Sequence, residues 1–273
     1  MRLLPALALA ACAGGSSEPQ DPTGRLLIEE VYYSGAVPAA GVDHYYSDQF
    51  VQIENTSRDV VGVGGLMIGD AAGIAGEINP GSLPDGFRDS RPNRVVLENV
   101  WRVPGAFADV TLEPGESLLI AHDGTNHQPM STLDLTGASF ETYVEVNGGD
   151  DDHPLVPNLE PVHFTGGYDW LVTVFGPSLV VLRPGAELME LDDGFWEYRT
   201  ASVNDVVDGV DALMDGSSRA YKRLPDTVDA GFTHVSGTYT GESVKRVRVD
   251  GELQDSNDSS MDFEVGDPDP YGG

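Results

Sequence analysis

The sequence predicts an all-β fold, an antiparallel β-sandwich carrying long loop insertions. Three observations lead there. Short apolar segments alternate with breaks, and Gly 33 and Pro 18 punctuate the chain of 273 residues. No stretch carries the apolar spacing of a long amphipathic helix, and no period of about 20 to 50 residues recurs, which excludes a solenoid or propeller. The clearest segment, Asp48–Ser57, sets Val51 and Ile53 alternately with Gln52 and Glu54, the period of two that puts one face on a core. Many short strands divided by Gly/Pro turns belong to two packed sheets.

The elements follow in order. Residues 25–33 (RLLIEEVYY) read as the first strand, β-branched and aromatic toward the end. Residues 34–48 form a loop. Asp48–Ser57 runs into a turn at Asn55-Thr56-Ser57, whose side chains bond nearby backbone. Val60–Ile68 follows after a short gap, so the two segments are expected to make a hairpin at the centre of the sandwich. Residues 71–90 are an irregular excursion, and Arg94–Val103 a strand. Val110–Glu116 ends in a Pro-Gly turn, and Ser117–Gly124 is an apolar strand closing on Asp-Gly. Residues 125–161 are mostly loop. Trp170–Phe175 and Ser178–Leu182 suit a hairpin around Gly176-Pro177. Trp196–Ser202 and Val206–Leu213 are two more strands. The second also reads as a helical face (Val203, Val206, Val207, Val210, Leu213), but Val-rich segments broken by Asp-Gly are poor helix formers. Ser243–Val249 is the last strand, and Leu253–Gly273 a polar tail.

Charge and the N-terminus speak to location. The chain has 28 Asp and 17 Glu against 13 Arg and 2 Lys, a net charge of −30. That balance repels nucleic acid and anionic membrane surfaces, whose phosphates require Lys or Arg. It suits cations, basic partners or concentrated salt, and a GC-rich genome exchanging Arg for Lys gives the same bias. Met1-Arg2 and the apolar run Leu3–Ala11 precede Leu9-Ala10-Ala11-Cys12, which resembles the bacterial lipobox. Cys12 is the sole Cys, so no intrachain disulfide exists and its expected modification is a lipid. Residues 1–11 are then a lipoprotein signal peptide and 12–24 a lipidated, flexible tether. Residues 25–265 form one sandwich domain and 266–273 a polar C-terminal tail. No other stretch approaches the about 20 apolar residues of a membrane span. The expected location is the cell envelope, at the outer membrane or cell surface, touching the membrane only through the lipid on Cys12.

Several pieces line up with a known architecture. DQFVQIENTS followed by VVGVGGLMIGD resembles the lamin-tail-type immunoglobulin-like domain of bacterial surface proteins, with its "ExIELxN" and "DLSGWxLxD" strands. Val51, Ile53 and Asn55 match the first, and Gly65, Ile68 and Asp70 the second. Gln52 stands where an acid is usual and Leu66 where Trp is usual. LEPGESLLIAHD resembles the following strand pair. The ending SVKRVRVDGELQDSNDSSMDFEVGDPDP, with HDGTNH and the lipobox, is similar to uncharacterised surface lipoproteins grouped as domain of unknown function 4876. Ser243, Val244, Arg246, Asp255, Asn257, Asp262, Phe263, Pro268 and Pro270 carry that match. The resemblance implies an immunoglobulin-like sandwich and a surface location, and brings no established activity.

Chemistry has three candidate locations. His122, Asp123 and His127 flank a strand tip, where imidazoles suit Zn²⁺ or Cu²⁺, with His153 and His163 as further ligands if loops converge. Asp150, Asp151 and Asp152, and Asp255, Asn257 and Asp258, offer hard oxygens of the kind Ca²⁺ takes. The second set lacks the glycine and distal Glu of an EF-hand, and turn chemistry on a solvated surface explains it as simply. Tyr32, Tyr33, Tyr45 and Tyr46, with His44 between the pairs, would make a platform for sugar rings or a protein if exposed, and would edge the core if buried. Trp101, Trp170 and Trp196 are core candidates. No Gly-x-Ser-x-Gly elbow and no phosphate loop occur, since Lys222 and Lys245 lie outside such contexts. No cofactor follows with certainty, Ca²⁺ being the one expected ion. The chain thus reads as a non-catalytic binding or structural module with an envelope protein or glycan partner. The alternative is a secreted hydrolase, metal-assisted through His122, Asp123 and His127.

Overall fold

A computed structural model describes residues 20, 22–73, 87–145, 150–166, 172–192, 194 and 197–272. Cys12, the 1–11 segment, Trp170 and Trp196 lie outside the described residues. In chain order the strands begin with β1 (Leu26–Tyr32), β2 (Phe50–Asn55), β3 (Val61–Gly62), β4 (Met67–Ala71), β5 (Arg94–Arg102) and β6 (Thr111–Leu112). They continue with β7 (Ser117–Ala121), β8 (Phe140–Glu141), β9 (Glu160–His163), β10 (Ser178–Leu182), β11 (Met189–Asp192) and β12 (Glu197–Ser202). The last are β13 (Val206–Leu213), β14 (Thr233–His234), β15 (Ser243–Arg246), β16 (Arg248–Val249), β17 (Glu252–Leu253) and β18 (Phe263–Gly266). One turn of helix, α1 (Ser259–Asp262), precedes β18.

The fold is all-β, as expected. One sheet runs β18-β15-β1-β2-β7-β8, and the other β11-β12-β5-β4-β10-β13-β14 with β9 beside β5. Their pairings are antiparallel except β7–β8 and β13–β14. Val51, Ile53, Leu118 and Ile120 of the first sheet share one core with Ile68, Trp101, Leu179, Val181 and Val210 of the second. Val51, Ile53 and Trp101 are fully buried, and each such aliphatic side chain contributes about 1.5–3 kcal/mol. Val206–Leu213 is a strand throughout, as its Val content predicts. The outer face of the second sheet buries Val95, Leu97, Val180 and Leu182 beneath Leu224 and Val228.

β1 does not alternate simply. Leu26 and Ile28 face the core, and then Val31 and Tyr33 do. The register with β2 shifts between Ile28 and Glu30. This bulge inserts one residue and reverses which positions face inward. Tyr32 is thereby turned to the outer face, where it packs with Phe50, Leu133 and Leu135. At the bulge, Asp208 of β13 accepts the Ile28 N–H at 2.7 Å and the Arg246 Nη2 at 2.6 Å. Arg246 Nε donates to the Ile28 carbonyl at 2.8 Å. Side chains from two strands therefore satisfy the Ile28 backbone.

Three expectations are corrected. Asp48–Ser57 and Val60–Ile68 do not form a hairpin: β2 lies between β1 and β7, while β4 lies in the other sheet between β5 and β10. After β2 the chain enters β3, which pairs with β6 in a separate ribbon, and then turns at Gly64-Gly65 into β4. Gly64 packs so closely that a Cβ would stand 2.6 Å from the Ala108 Cα, and Gly65 has φ +79°. Second, Ser178–Leu182 pairs with β13 and β4, and residues 172–175 form no strand. Third, the C-terminal segment is docked rather than a free tail. It holds β17, α1 and β18, and the Asp269 N–H donates to Glu30 Oε1 at 3.1 Å.

Register also defines two poles. The Gln20 N–H bonds the Val60 carbonyl beside the start of β1. Antiparallel pairing sets Leu26 opposite Asn55 there, and Tyr32 opposite Phe50 at the far end. Arg246→Met, which breaks the buried pair, is expected to lower the unfolding free energy by about 3–5 kcal/mol in urea titration. Adding Asp208→Leu should recover part of that loss.

Candidate functional site

Strand directions bring four loops together at the far pole. β1 ends and β2 begins there, β7 ends there because Ala121 pairs with Phe50, and β15 begins and β18 ends there because Ser243 pairs with Gly266. Segments 33–49, 122–139, 235–241 and 267–272 therefore meet. Between them is an open groove of about 470 Å³, lined by Tyr32, Val37, Pro38, Met130 and Leu133, with Ser131, Asp267 and Pro268 also in its wall. Val37 is 57% exposed. Backbone bonds hold the rim: Ala36 N–H to the Tyr45 carbonyl at 2.9 Å, and Gly241 N–H to the Gly35 carbonyl at 3.0 Å. Gly35 has φ +76°, and a Cβ there would lie 2.6 Å from the Tyr45 carbonyl oxygen, so this rim requires glycine.

Beneath the groove lies a buried carboxyl. Asp48 is 0% exposed. Its Oδ2 accepts from the Tyr32 hydroxyl at 3.0 Å, while buried Oδ1 accepts no hydrogen bond from the protein. Burial pushes its pKa up to about 6, against the opposing pull of the Ser131 and Tyr32 hydroxyls and of His122. Nearby, His127 Nε2 lies 3.1 Å from the Asp123 carbonyl and its Nδ1 2.8 Å from the Tyr45 hydroxyl. The carbonyl only accepts, so Nε2 carries the proton and the Tyr45 O–H donates to Nδ1. Burial holds this ring down to about 4 and raises Tyr45 to about 12. His122 stacks on Tyr46, ring centroids 6.3 Å apart. Glu141 accepts the Gly124 and His153 N–H groups at 2.6 and 2.8 Å, and burial raises it to about 7.

The expected sites are partly assembled and partly dispersed. His122, Asp123 and His127 do lie in one loop, but both ring nitrogens of His127 are already engaged. Among the described residues, no three His, Cys, Asp or Glu side chains gather where they could hold a metal ion. The two acidic sets work locally. Asp150 accepts the Val144 N–H at 2.6 Å and Asp152 the Asn158 amide at 3.0 Å. Asp151 is exposed. Asp255 accepts the Asn257 N–H at 3.2 Å, and Asp258 caps α1 by accepting the Ser260 N–H at 3.1 Å. His163 lies elsewhere, against the Glu197 carbonyl on the second sheet.

The tyrosines divide. Tyr32 and Tyr33 are 1% and 0% exposed, the core-edging alternative of the two expected for them, though Tyr32 also lines the groove. The bulge aims Tyr33 inward, where its hydroxyl donates to the Leu213 carbonyl at 2.8 Å and accepts the Val235 N–H at 2.9 Å. Tyr46 is 40% exposed, and His44 packs edge-on to Tyr239. Sequence reasoning missed Asp48 and the groove walls, because they meet only through tertiary structure.

A carboxyl with a raised folded pKa takes up its proton on folding between its unfolded value and that raised value. The stability it contributes therefore grows as pH falls from about 6 toward 4, and the cost of the buried charge is fully present above about 6. Asp48→Asn is expected to stabilise the protein by about 1–3 kcal/mol at pH 8 and hardly at all at pH 3. Thermal melts at the two pH values check this.

Comparison with known proteins adds family but no activity. No curated protein matches the chain. A crystal structure of a DUF4876 family protein from Bacteroides thetaiotaomicron VPI-5482 superposes with a TM-score of 0.75 at 26% identity, covering 89% of this chain and 71% of that one. The family model described as "Protein of unknown function (DUF4876)" matches residues 113–269, from the turn before β7 through the docked C-terminus. On that match over more than half its length, the chain belongs to the DUF4876 family.

Proposed function

We propose that this protein is a lipid-anchored component of the cell envelope that acts as a non-catalytic binding module, holding its groove away from the membrane. The observation that carries this is the separation of the two poles. The chain enters the sandwich beside Val60, and the groove opens where β1 ends. Six residue steps along β1 separate those ends by about 20 Å. The expected tether to Gly24 is shortened because Gln20 is already held at Val60, and the segment from Cys12 to Gln20 reaches at most about 30 Å when extended, so the domain stands close to the bilayer with its far pole outward. A binding role suits the groove because its wall is largely apolar, with few polar groups. The binding reading is favoured over the hydrolase alternative in that both ring nitrogens of His127 already meet partners, the Asp123 carbonyl and the Tyr45 hydroxyl.

Radiolabelled palmitate fed to cells expressing the wild-type chain is expected to enter the protein, which should partition into detergent. Cys12→Ser should lose the label and move to the aqueous phase. Equal labelling of both chains, or a wild-type chain found only in the aqueous phase, contradicts the proposal.

A further inference from the structure

We infer that the groove takes a basic peptide segment, seating an apolar side chain between Val37, Met130 and Leu133 while flanking Lys or Arg side chains meet an acidic rim. This rests on the groove being a binding site, and names what it accepts. The four segments that build the pole hold Asp43, Asp48, Asp123, Asp134, Asp267 and Asp269 and not one Lys or Arg. From Val103 to Leu182 the chain carries no Lys or Arg at all. Four of the cations are held elsewhere. Lys222, Arg223 and Arg246 are each buried to 6% exposure or less, and Arg248 bonds Glu29 at 2.7 Å and also Glu54.

An open groove whose building segments carry no Lys or Arg, with the nearby Lys245 already paired with Glu30, on a chain of net −30, attracts cations and repels acids. An anionic glycan or an acidic peptide would meet like charge from the exposed Asp43, Asp134, Asp267 and Asp269. The wall itself calls for an apolar group: Val37 stands 57% exposed over it. Asp48 adds an independent sign. It is wholly buried beneath Tyr32, a wall residue, with one oxygen that the protein leaves without a hydrogen bond. A buried carboxylate is costly, and a cation arriving in the groove offsets part of that cost by its charge.

The test uses the full chain carrying Cys12→Ser and fluorescence anisotropy in 150 mM NaCl, where diffuse charge attraction is largely screened beyond about 8 Å. The probe is a labelled octapeptide alternating lysine and leucine. It is expected to bind at least tenfold more tightly than lysine–glycine and glutamate–leucine octapeptides. Replacing both Val37→Gln and Met130→Gln should weaken it about tenfold. Asp267→Lys should weaken it about fivefold. Asp226→Lys, the same charge change beside Arg88, should alter it by less than twofold. Absence of binding overturns the inference. So does equal binding of the lysine–glycine or glutamate–leucine peptide, or equal loss with Asp226→Lys and Asp267→Lys, since either means diffuse charge or indiscriminate apolar contact. Palmitate labelling does not enter this readout, so anchoring and peptide recognition can fail separately.

Discussion

The Arg246–Asp208 pair, closed on the backbone of Ile28, is the constraint from which much of the molecule follows. Such a buried pair does little for net stability, because removing two charges from water costs about what their attraction returns. What it does here is fix position. Asp208 stands on the second sheet and Arg246 and Ile28 on the first, so the contact sets the two sheets in register. It also sits where β1 bulges. Beyond the bulge the side chains change faces: Tyr33 goes into the core and Tyr32 out over Asp48. The groove therefore owes its floor to an ion pair four residues upstream along β1. The C-terminal signature serves the same clamp. Arg246 lies 4.6 Å over the Phe263 ring, and Asp262 accepts the Ser256 N–H and hydroxyl, each at 2.8 Å.

The charge distribution follows from scarcity. With 15 Lys and Arg against 45 Asp and Glu, cations are few, and four of them are claimed by buried acids. Lys222 Nζ reaches Asp211 at 2.8 Å and the Asp229 carbonyl at 2.7 Å. Lys245 lies 3.5 Å from Glu30. Cations confined to such sites leave the loop pole acidic, and that acidity together with an apolar groove gives the site its character.

What the sequence made legible was local. Val51 and Ile53 alternate with polar residues, and they are buried as that pattern requires. The Val-rich run 206–213 declared itself a strand. The non-local features did not show. Glu29-Glu30 carries no mark of a bulge, because what selects the bulge is Arg246, more than 200 residues away. Gly64-Gly65 fell inside the single segment Val60–Ile68 and proved to be a turn between β3 and β4. The run 255–262 offered cation ligands or local turn chemistry alike, and its oxygens are found bonding its own turn and helix. Asp48 is one acid among many in the sequence, and only folding makes it a buried one.

The central claim is geometrical: the point where the tether joins the sandwich and the groove lie at opposite ends of β1. Double electron–electron resonance between spin labels at Thr23→Cys and Val37→Cys, in a Cys12→Ser background, measures it directly. The account predicts a single distance population beyond about 25 Å, from about 3.3 Å per strand residue plus the label arms. A distribution centred below about 15 Å would place the groove beside the tether and contradict it.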